Sequence, residues 1–279
     1  MAGTLSSSSK STSSEFVQAF PTYNESTPSV VLIPLLLAIM RLLNTITLEL
    51  HPFNSVDDSR TPRYAILSHT WTEDEVVFED VKQGSQHIPR QKNGFAKIQR
   101  SCAKARADGY GWIWIDTCCI DKSSSTELSE AINSMFEWYQ RSSVCYAFLS
   151  DVQTSDTLAQ SRWFTRGWTL QELIAPHKLE LISSDWTVIG DRSSMALELS
   201  DITGVDETVF ERGGSVFWED GGVNARLRKF SIATRMRWAS KRETTRAEDM
   251  AYCLMGIFDV NMPLLYGEGS AKAFRRLQA

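Results

Sequence analysis

A single acidic residue lies among tryptophans in the stretch RWFTRGWTLQELIAP, which runs from residue 162 to residue 176. A helix that begins near Phe164 would place Trp168 and Glu172 one turn apart on the same face, and Pro176 would end that helix. A carboxylate packed against apolar rings loses hydration, which raises its pKa and suits it to act as an acid, a base or a charge stabiliser. The same spacing also fits an exposed helix glutamate, which is the ordinary position of an acidic residue.

Three apolar segments with the pattern of β-strands each end in polar residues. The segments are 64–71, 112–121 and 144–149, and their polar ends are Ser68 and His69, Asp116 and Thr117, and Ser150 and Asp151. Amphipathic helical patterns at 94–108 and 125–141 separate them. This alternation predicts right-handed crossovers and therefore an α/β fold with a parallel sheet core flanked by helices on both faces.

The polar strand ends predict the position of a ligand. In open α/β sheets, ligands bind beyond the carboxyl ends of the strands, so we expect Ser68, His69, Trp71 and Asp116 to lie beside one, with Glu172 on the helix after the third strand. Polar strand ends are also common as caps and turns, and that alternative stays open. Ser68 and His69 are neighbours on a strand and face apart, which disfavours a Ser/His/Asp catalytic arrangement.

The N-terminal region differs in composition from the rest. Residues 1–39 are rich in Ser and Thr and bury too little apolar surface to order themselves, so we expect a disordered leader. Its apolar run at 30–40 contains Pro34 and is shorter than the roughly 20 residues that a membrane-spanning helix needs. We therefore expect no stable membrane span and a folded domain over 40–279.

The folded domain is expected to have additions after its core. Residues 178–183 and 185–190 have the pattern of two more strands, and the chain from about 191 onward is mainly helical. These patterns predict an α/β core at about 60–190 and a C-terminal helical extension at about 191–279.

Charge and cysteine content exclude several classes of function. A net charge of -5 and a pI of about 5.5 give no global attraction to phosphate backbones, so we expect no nucleic-acid ligand. The five cysteines are an odd number without CxxC spacing, which favours a reducing compartment, the cytoplasm. Cys118 and Cys119 would face opposite sides of a strand, so we expect no metal site there. No Walker-type loop or other cofactor motif occurs, and we expect no bound cofactor.

Four stretches of the chain together resemble one protein family, the heterokaryon incompatibility (HET) domain of filamentous fungi. They are YAILSHTW, GWIWIDTCCID, SRWFTRGWTLQELIAP and RMRWASKRETTRAEDMAYCLMGIFDVNMPLLYGEG. The resemblance runs from about Met40 to the end. It implies an effector of nonself recognition between fused hyphae that triggers regulated cell death. In several relatives the domain precedes a nucleotide-binding module and repeats, so we expect either a stand-alone effector or a fragment of a larger receptor.

HET domains are in turn distantly similar to TIR domains, many of which hydrolyse NAD at the nicotinamide glycosidic bond. The resemblance implies a TIR/flavodoxin-like three-layer core. WTLQEL, which starts at Trp168, resembles the TIR pattern of tryptophan, three residues, glutamate and leucine, and implies that Glu172 is the catalytic carboxylate. YAILSHTW resembles the first TIR strand and its loop, which places Ser68, His69 and Trp71 beside the ligand.

The expected substrate-binding set is therefore Ser68, His69, Trp71, Asp116 and Trp168, with NAD as a small-molecule substrate. The chain departs from the TIR pattern at Gly167 and Thr169, where many TIR domains have Ser and Cys. The alternative is a non-catalytic module that signals by self-association. A homo-oligomer and a nucleotide-binding receptor of the incompatibility system are the protein partners expected on either reading.

Overall fold

The computed structural model describes residues 39–53, 61–211 and 222–279. The expected leader, 1–39, lies outside the described residues except for its last position. The strands are β1 (Met40–Asn44), β2 (Leu50–Phe53), β3 (Ala65–His69), β4 (Trp112–Ile115), β5 (Val144–Phe148), β6 (Leu179–Ile182) and β7 (Val188–Asp191). The α-helices are α1 (Phe78–Val81), α2 (Asn93–Ala107), α3 (Asp116–Cys119), α4 (Ser125–Arg141), α5 (Thr169–Ile174), α6 (Ala196–Thr203), α7 (Gly222–Leu227), α8 (Ile232–Ala239), α9 (Asp249–Tyr252), α10 (Met255–Phe258) and α11 (Ser270–Leu277).

The strands form one mixed sheet in the order β2-β1-β4-β3-β5-β6-β7. The central strands β4, β3, β5 and β6 are parallel, so the predicted parallel α/β core is confirmed. The pairs β1-β2, β1-β4 and β6-β7 are antiparallel, so a wholly parallel sheet is wrong. Counted in chain order, the four parallel strands have the spatial order 2-1-3-4.

The hairpin β1-β2 precedes the strand that the sequence pattern singled out as the first. Its turn is fixed by Asn44, whose Oδ1 accepts hydrogen bonds from the backbone N–H of Ile46 at 2.9 Å and of Thr47 at 3.0 Å. Asparagine side chains readily form such local hydrogen bonds with the backbone, which favours a turn over continuation of the strand. Leu42 and Leu43 are fully buried. The hairpin therefore extends the core at the edge of β4.

Helices bury the central strands. Every residue of β3 and β5 is buried, as expected for parallel strands covered on both faces. The long helix α4 packs against α10 so closely that a Cβ on Gly256 would lie 2.2 Å from Cβ of Phe136. Trp114 and Trp163 are fully buried, and the removal of such large aromatic surfaces from water stabilises the fold.

The strand predicted over 112–121 is shorter than expected. β4 ends at Ile115, and the next four residues form α3. Cys118 and Cys119 thus lie on a helical turn, so the argument that they face opposite sides of a strand is wrong. Both thiols are buried, and Cys119 Sγ accepts a hydrogen bond from the backbone N–H of Ile115 at 3.3 Å. Among the described residues, no group of three or more His, Cys, Asp or Glu side chains is arranged to hold a metal ion.

Two strands and several helices follow the central part of the fold. β6 and β7 match the two added strands, and the described residues after 191 contain helices and no strand, as the sequence predicted.

The helix of Glu172 begins at Thr169, later than predicted, because a 3-10 turn over Arg162–Thr165 precedes it. Across the three described ranges, no helix is long and apolar enough to cross a membrane.

Candidate active site

The parallel strands bring the predicted polar residues to one edge of the sheet. Ser68 and His69 are the last residues of β3, and Asp116 follows β4, whose last residue Ile115 is paired with Leu67. The third pair of polar strand-end residues has a different role, because Asp151 accepts hydrogen bonds from Ser161 Oγ at 2.7 Å and from the backbone N–H of residue 162 at 2.8 Å. The capping alternative therefore holds for the end of β5.

Glu172 is buried, with only 8% of its surface exposed, so the alternative of an exposed helix glutamate is wrong. Ser68 Oγ donates a hydrogen bond to Glu172 Oε2. Trp163 Nε1 in turn donates to Ser68 Oγ at 2.7 Å. Because an indole N–H can only donate, this chain of bonds fixes the direction of the Ser68 hydroxyl and points its hydrogen at the carboxyl group.

Burial raises the pKa of Glu172 to about 8. The negative charge of Asp116 adds to the rise, whereas the Ser68 hydrogen bond, the charge of Arg166 and the Tyr139 hydroxyl lower it. At neutral pH most molecules therefore hold Glu172 protonated. Such a carboxyl group can exchange a proton near physiological pH, which an ordinary glutamate does not do.

Two buried arginines hold the helix that carries this acid. Arg192 Nη1 donates to the carbonyl oxygens of Leu173 at 2.8 Å and Ile174 at 2.9 Å, at the end of α5. Arg242 Nη1 donates to the carbonyl oxygen of Arg166 at 2.8 Å and to Thr169 Oγ1 at 2.9 Å, at its beginning. Helix ends leave backbone groups without helical partners, so these guanidinium groups fix a helix of only six residues.

The buried His69 and the partly exposed Asp116 form a second pair at the strand ends. His69 Nε2 lies 3.0 Å from Asp116 Oδ1, and Lys97 Nζ lies 2.8 Å from His69 Nδ1. An ammonium group can only donate, so Nδ1 accepts and Nε2–H donates to Asp116. Both ring nitrogens are thus engaged, and His69 orients Asp116.

Asp116 is anionic over the whole physiological range. Burial by itself would raise its pKa, but the charge of Lys122, the hydrogen bond from His69 and that from Trp71 outweigh burial and lower it to about 2. Trp71 Nε1 donates to Asp116 Oδ2 at 2.8 Å. Helix α5 and the end of β4 therefore present a protonated acid, Glu172, and an ionised acid, Asp116, to the same space.

That space is a cavity of about 270 Å³, near the lower end of the usual size of small-molecule sites, roughly 300 to 1,000 Å³. Its lining residues are His69, Trp71, Asp116, Ile120, Lys122, Leu128, Ile132, Met135, Arg166, Trp168, Thr169, Glu172, Thr245, Arg246, Asp249 and Tyr266. Five of the six predicted site residues line it. The sixth, Ser68, lies behind Glu172 and contacts the cavity only through that carboxyl group.

The C-terminal extension supplies lining residues that the sequence pattern did not single out. Asp249 Oδ2 accepts a hydrogen bond from Trp168 Nε1 at 3.2 Å, and its Oδ1 accepts one from Tyr266 OH at 3.0 Å. Burial raises the pKa of Asp249. No periodic pattern in the sequence links Asp249 to Trp168, because the two residues are 81 positions apart.

The same extension leaves little room for a side chain at Gly167. A Cβ on Gly167 would lie 2.5 Å from Cγ2 of Thr244 and 3.1 Å from Sγ of Cys253. The neighbouring backbone is joined to the extension by a hydrogen bond from Gly167 N–H to the carbonyl oxygen of Glu243 at 2.8 Å. A serine at 167 would not fit against this approach without a shift of the neighbouring chain.

The fold and the site together define a class: an α/β domain with a buried, protonatable acid beside a cavity at the carboxyl ends of parallel strands. Residues 64–159 match the family model described as heterokaryon incompatibility protein (HET). The chain is also 45% identical over 243 residues to the vegetative incompatibility protein HET-E-1 of Podospora anserina, a match that covers 82% of this chain and 17% of that protein. The chain belongs to the HET family. No solved structure matches it significantly.

Proposed function

We propose that this domain is an effector of heterokaryon incompatibility that triggers regulated cell death by hydrolysing NAD at the nicotinamide glycosidic bond. Its membership of the HET family and its similarity to a vegetative incompatibility protein support the biological role. The chain spans 17% of that relative's length, so the proposal concerns this domain and not the activity of the larger protein. The observation that carries the chemistry is Glu172, a buried acid with a pKa of about 8 beside an open cavity.

The order of the parallel strands supports a TIR/flavodoxin-like fold for the core. The parallel strands follow the order 2-1-3-4, which is the beginning of the flavodoxin-like order 2-1-3-4-5. Ligands of that fold bind where the strand order reverses. Ser68 and His69 end the strand at that position, which supports a TIR/flavodoxin-like arrangement with the ligand beside them.

The proposed reaction consumes water and leaves the rest of NAD intact. The bond between the ribose C1′ and the nicotinamide nitrogen breaks, and its electron pair neutralises the pyridinium ring. The ribose develops oxocarbenium character, which the ionised form of Glu172 stabilises. Water then adds to C1′ and releases a proton, so that the products are nicotinamide, ADP-ribose and H⁺. Trp71 and Trp168 line the cavity and provide rings on which a base stacks.

The decisive experiment measures NAD and nicotinamide with purified domain, with Glu172→Gln as the test variant. Glu198→Gln is the matched control, because Glu198 is an exposed acid on another helix. We expect NAD loss with wild type and with the control, and none with Glu172→Gln. No NAD loss with wild type, or equal loss in both variants, would remove the catalytic proposal.

The same variants expressed in fungal cells separate catalysis from signalling by self-association. If Glu172→Gln still kills cells while substitutions on exposed helix faces abolish both assembly and killing, the domain is a non-catalytic module. Assembly into a homo-oligomer and coupling to a nucleotide-binding receptor are compatible with both outcomes, and size-exclusion chromatography measures the first. We place the reaction in the cytoplasm because all five cysteines are free thiols.

A further inference from the structure

Three basic side chains, Lys122, Arg166 and Arg246, line the cavity. Within the part of the chain that the structure describes, none of them has a carboxylate oxygen within 4.0 Å. Lys97, whose Nζ lies 2.8 Å from Nδ1 of the lining residue His69, is by contrast paired with Glu75. The lining thus combines three cations that have no direct ion pair with the ionised Asp116, whose pKa the charge of Lys122 lowers.

Two of these cations are held against aromatic rings of the same lining. Lys122 Nζ lies 3.7 Å from the centroid of the Trp71 ring, and Arg246 Cζ lies 4.3 Å from that of the Tyr266 ring. Such cation–π contacts restrict long side chains before a ligand arrives, which lowers the entropy lost on binding.

Each of these rings is itself held by an acid. Trp71 Nε1 donates to Asp116 at 2.8 Å, and Tyr266 OH donates to Asp249 at 3.0 Å. An arrangement of acid, ring and cation thus occurs twice, on segments far apart in the chain. Arg166 differs, since its charge acts on Glu172 directly, and it belongs to the catalytic centre.

We propose that Lys122 and Arg246 bind the phosphate groups of the ligand and make a phosphate a requirement for efficient cleavage. The inference rests on the proposed function and adds to it the groups that select the substrate. Ammonium and guanidinium groups suit phosphate oxygens, while the acids of the cavity suit the sugar hydroxyls and the cationic base. The ligand is thereby oriented with its glycosidic bond toward Glu172.

The test compares three substrates that share the scissile bond but carry two, one and no phosphate groups: NAD, nicotinamide mononucleotide and nicotinamide riboside. We expect wild type to cleave both phosphorylated substrates with a kcat/KM at least about tenfold above that for the riboside, as for a lost charge-assisted contact. Lys122→Gln and Arg246→Gln should each lower kcat/KM about tenfold more for NAD than for the riboside, and at least one of them should do the same for the mononucleotide, which carries a single phosphate. Retained riboside cleavage also shows that each variant is folded.

Lys272→Gln is the matched control, because Lys272 is exposed on α11 and does not line the cavity; it should change none of the three rates. Equal cleavage of the three substrates by wild type would overturn the inference, and so would an equal loss of all three rates in Lys122→Gln or Arg246→Gln.

If the proposed NAD hydrolysis is wrong, the result is different: wild type cleaves none of the three substrates. The phosphate site is then measured by calorimetry with ADP-ribose, which carries both phosphates and no nicotinamide bond. We expect binding that weakens about tenfold in Lys122→Gln and in Arg246→Gln and that weakens further with added salt. Absence of ADP-ribose binding, or the same affinity in wild type and both variants, would show that these cations do not form a phosphate site.

Discussion

Replacing Glu172 by glutamine should change how the stability of the protein depends on pH. Its pKa is about 8 in the folded chain against an ordinary 4.5, chiefly because burial disfavours the charged form. Between these values the folded state keeps a proton that the unfolded state has released. The free energy of unfolding therefore falls as pH rises through this window, by up to about 1.4 kcal/mol per pH unit.

Integrated from pH 5 to pH 9, this one group lowers the stability of wild type by roughly 4 kcal/mol. Glutamine cannot ionise, and it keeps an oxygen to accept the hydrogen bond from Ser68. Glu172→Gln should therefore gain about 4 kcal/mol relative to wild type over this range. The buried thiols, whose pKa values are raised by burial, are present in both proteins and cancel in the difference.

Urea titrations followed by tryptophan fluorescence at each pH unit from 5 to 9 measure this difference. Glu198→Gln should follow wild type, since that side chain is exposed. A difference between Glu172→Gln and wild type that stays flat from pH 5 to pH 9 would refute the reasoning, because the carboxyl group would then ionise alike in the folded and unfolded chains.

Four further predictions concern activity and packing. If the ionised carboxylate is the active form, kcat/KM for NAD should rise up to tenfold per pH unit below pH 8 and level off above it, as rates from pH 6 to 9 will show. Ser68→Ala removes a hydrogen bond that lowers the pKa of Glu172 and should move that midpoint upward; an unmoved midpoint would contradict the assignment. Arg192→Met leaves two helix-end carbonyls without their donor and should cost about 2 to 4 kcal/mol in urea titrations. Gly256→Ala, which places a Cβ 2.2 Å from a packed aromatic side chain, should cost about 1 to 3 kcal/mol, whereas Gly111→Ala, with open space around it, should change stability by less than about 1 kcal/mol.

The central strands could be predicted because the information that specifies them is local. β3 and β5 are continuous apolar runs that end in polar residues, and their alternation with helices determines which ends meet. From that alone Ser68, His69 and Asp116 could be placed at one edge. The helical turn after Ile115 was not predicted, because Cys118, Cys119 and Ile120 are again apolar and extend the strand-like pattern beyond the polar residues Asp116 and Thr117, whereas in the structure residues 116–119 form α3.

The part of the site that was not predicted depends on contacts between distant segments. Trp168 lies four residues before Glu172, and its place beside that acid follows from the sequence. The orientation of its ring depends on Asp249, a residue 81 positions away. Such a contact leaves no periodic pattern in either segment, since each side chain meets only one partner in the other.

These distant contacts also determine which segments of the chain form the cavity and hold Glu172 beside it. The family model matches 64–159, which includes His69, Trp71 and Asp116 but ends before Glu172. The acid lies on a helix that Arg242 holds at its beginning, and the cavity beside it is closed in part by Asp249 and the residues around it. The α/β core thus supplies Glu172, and the C-terminal extension supplies both the arginine that holds its helix and part of the cavity wall. We therefore expect the activity that we propose to require the core together with the extension.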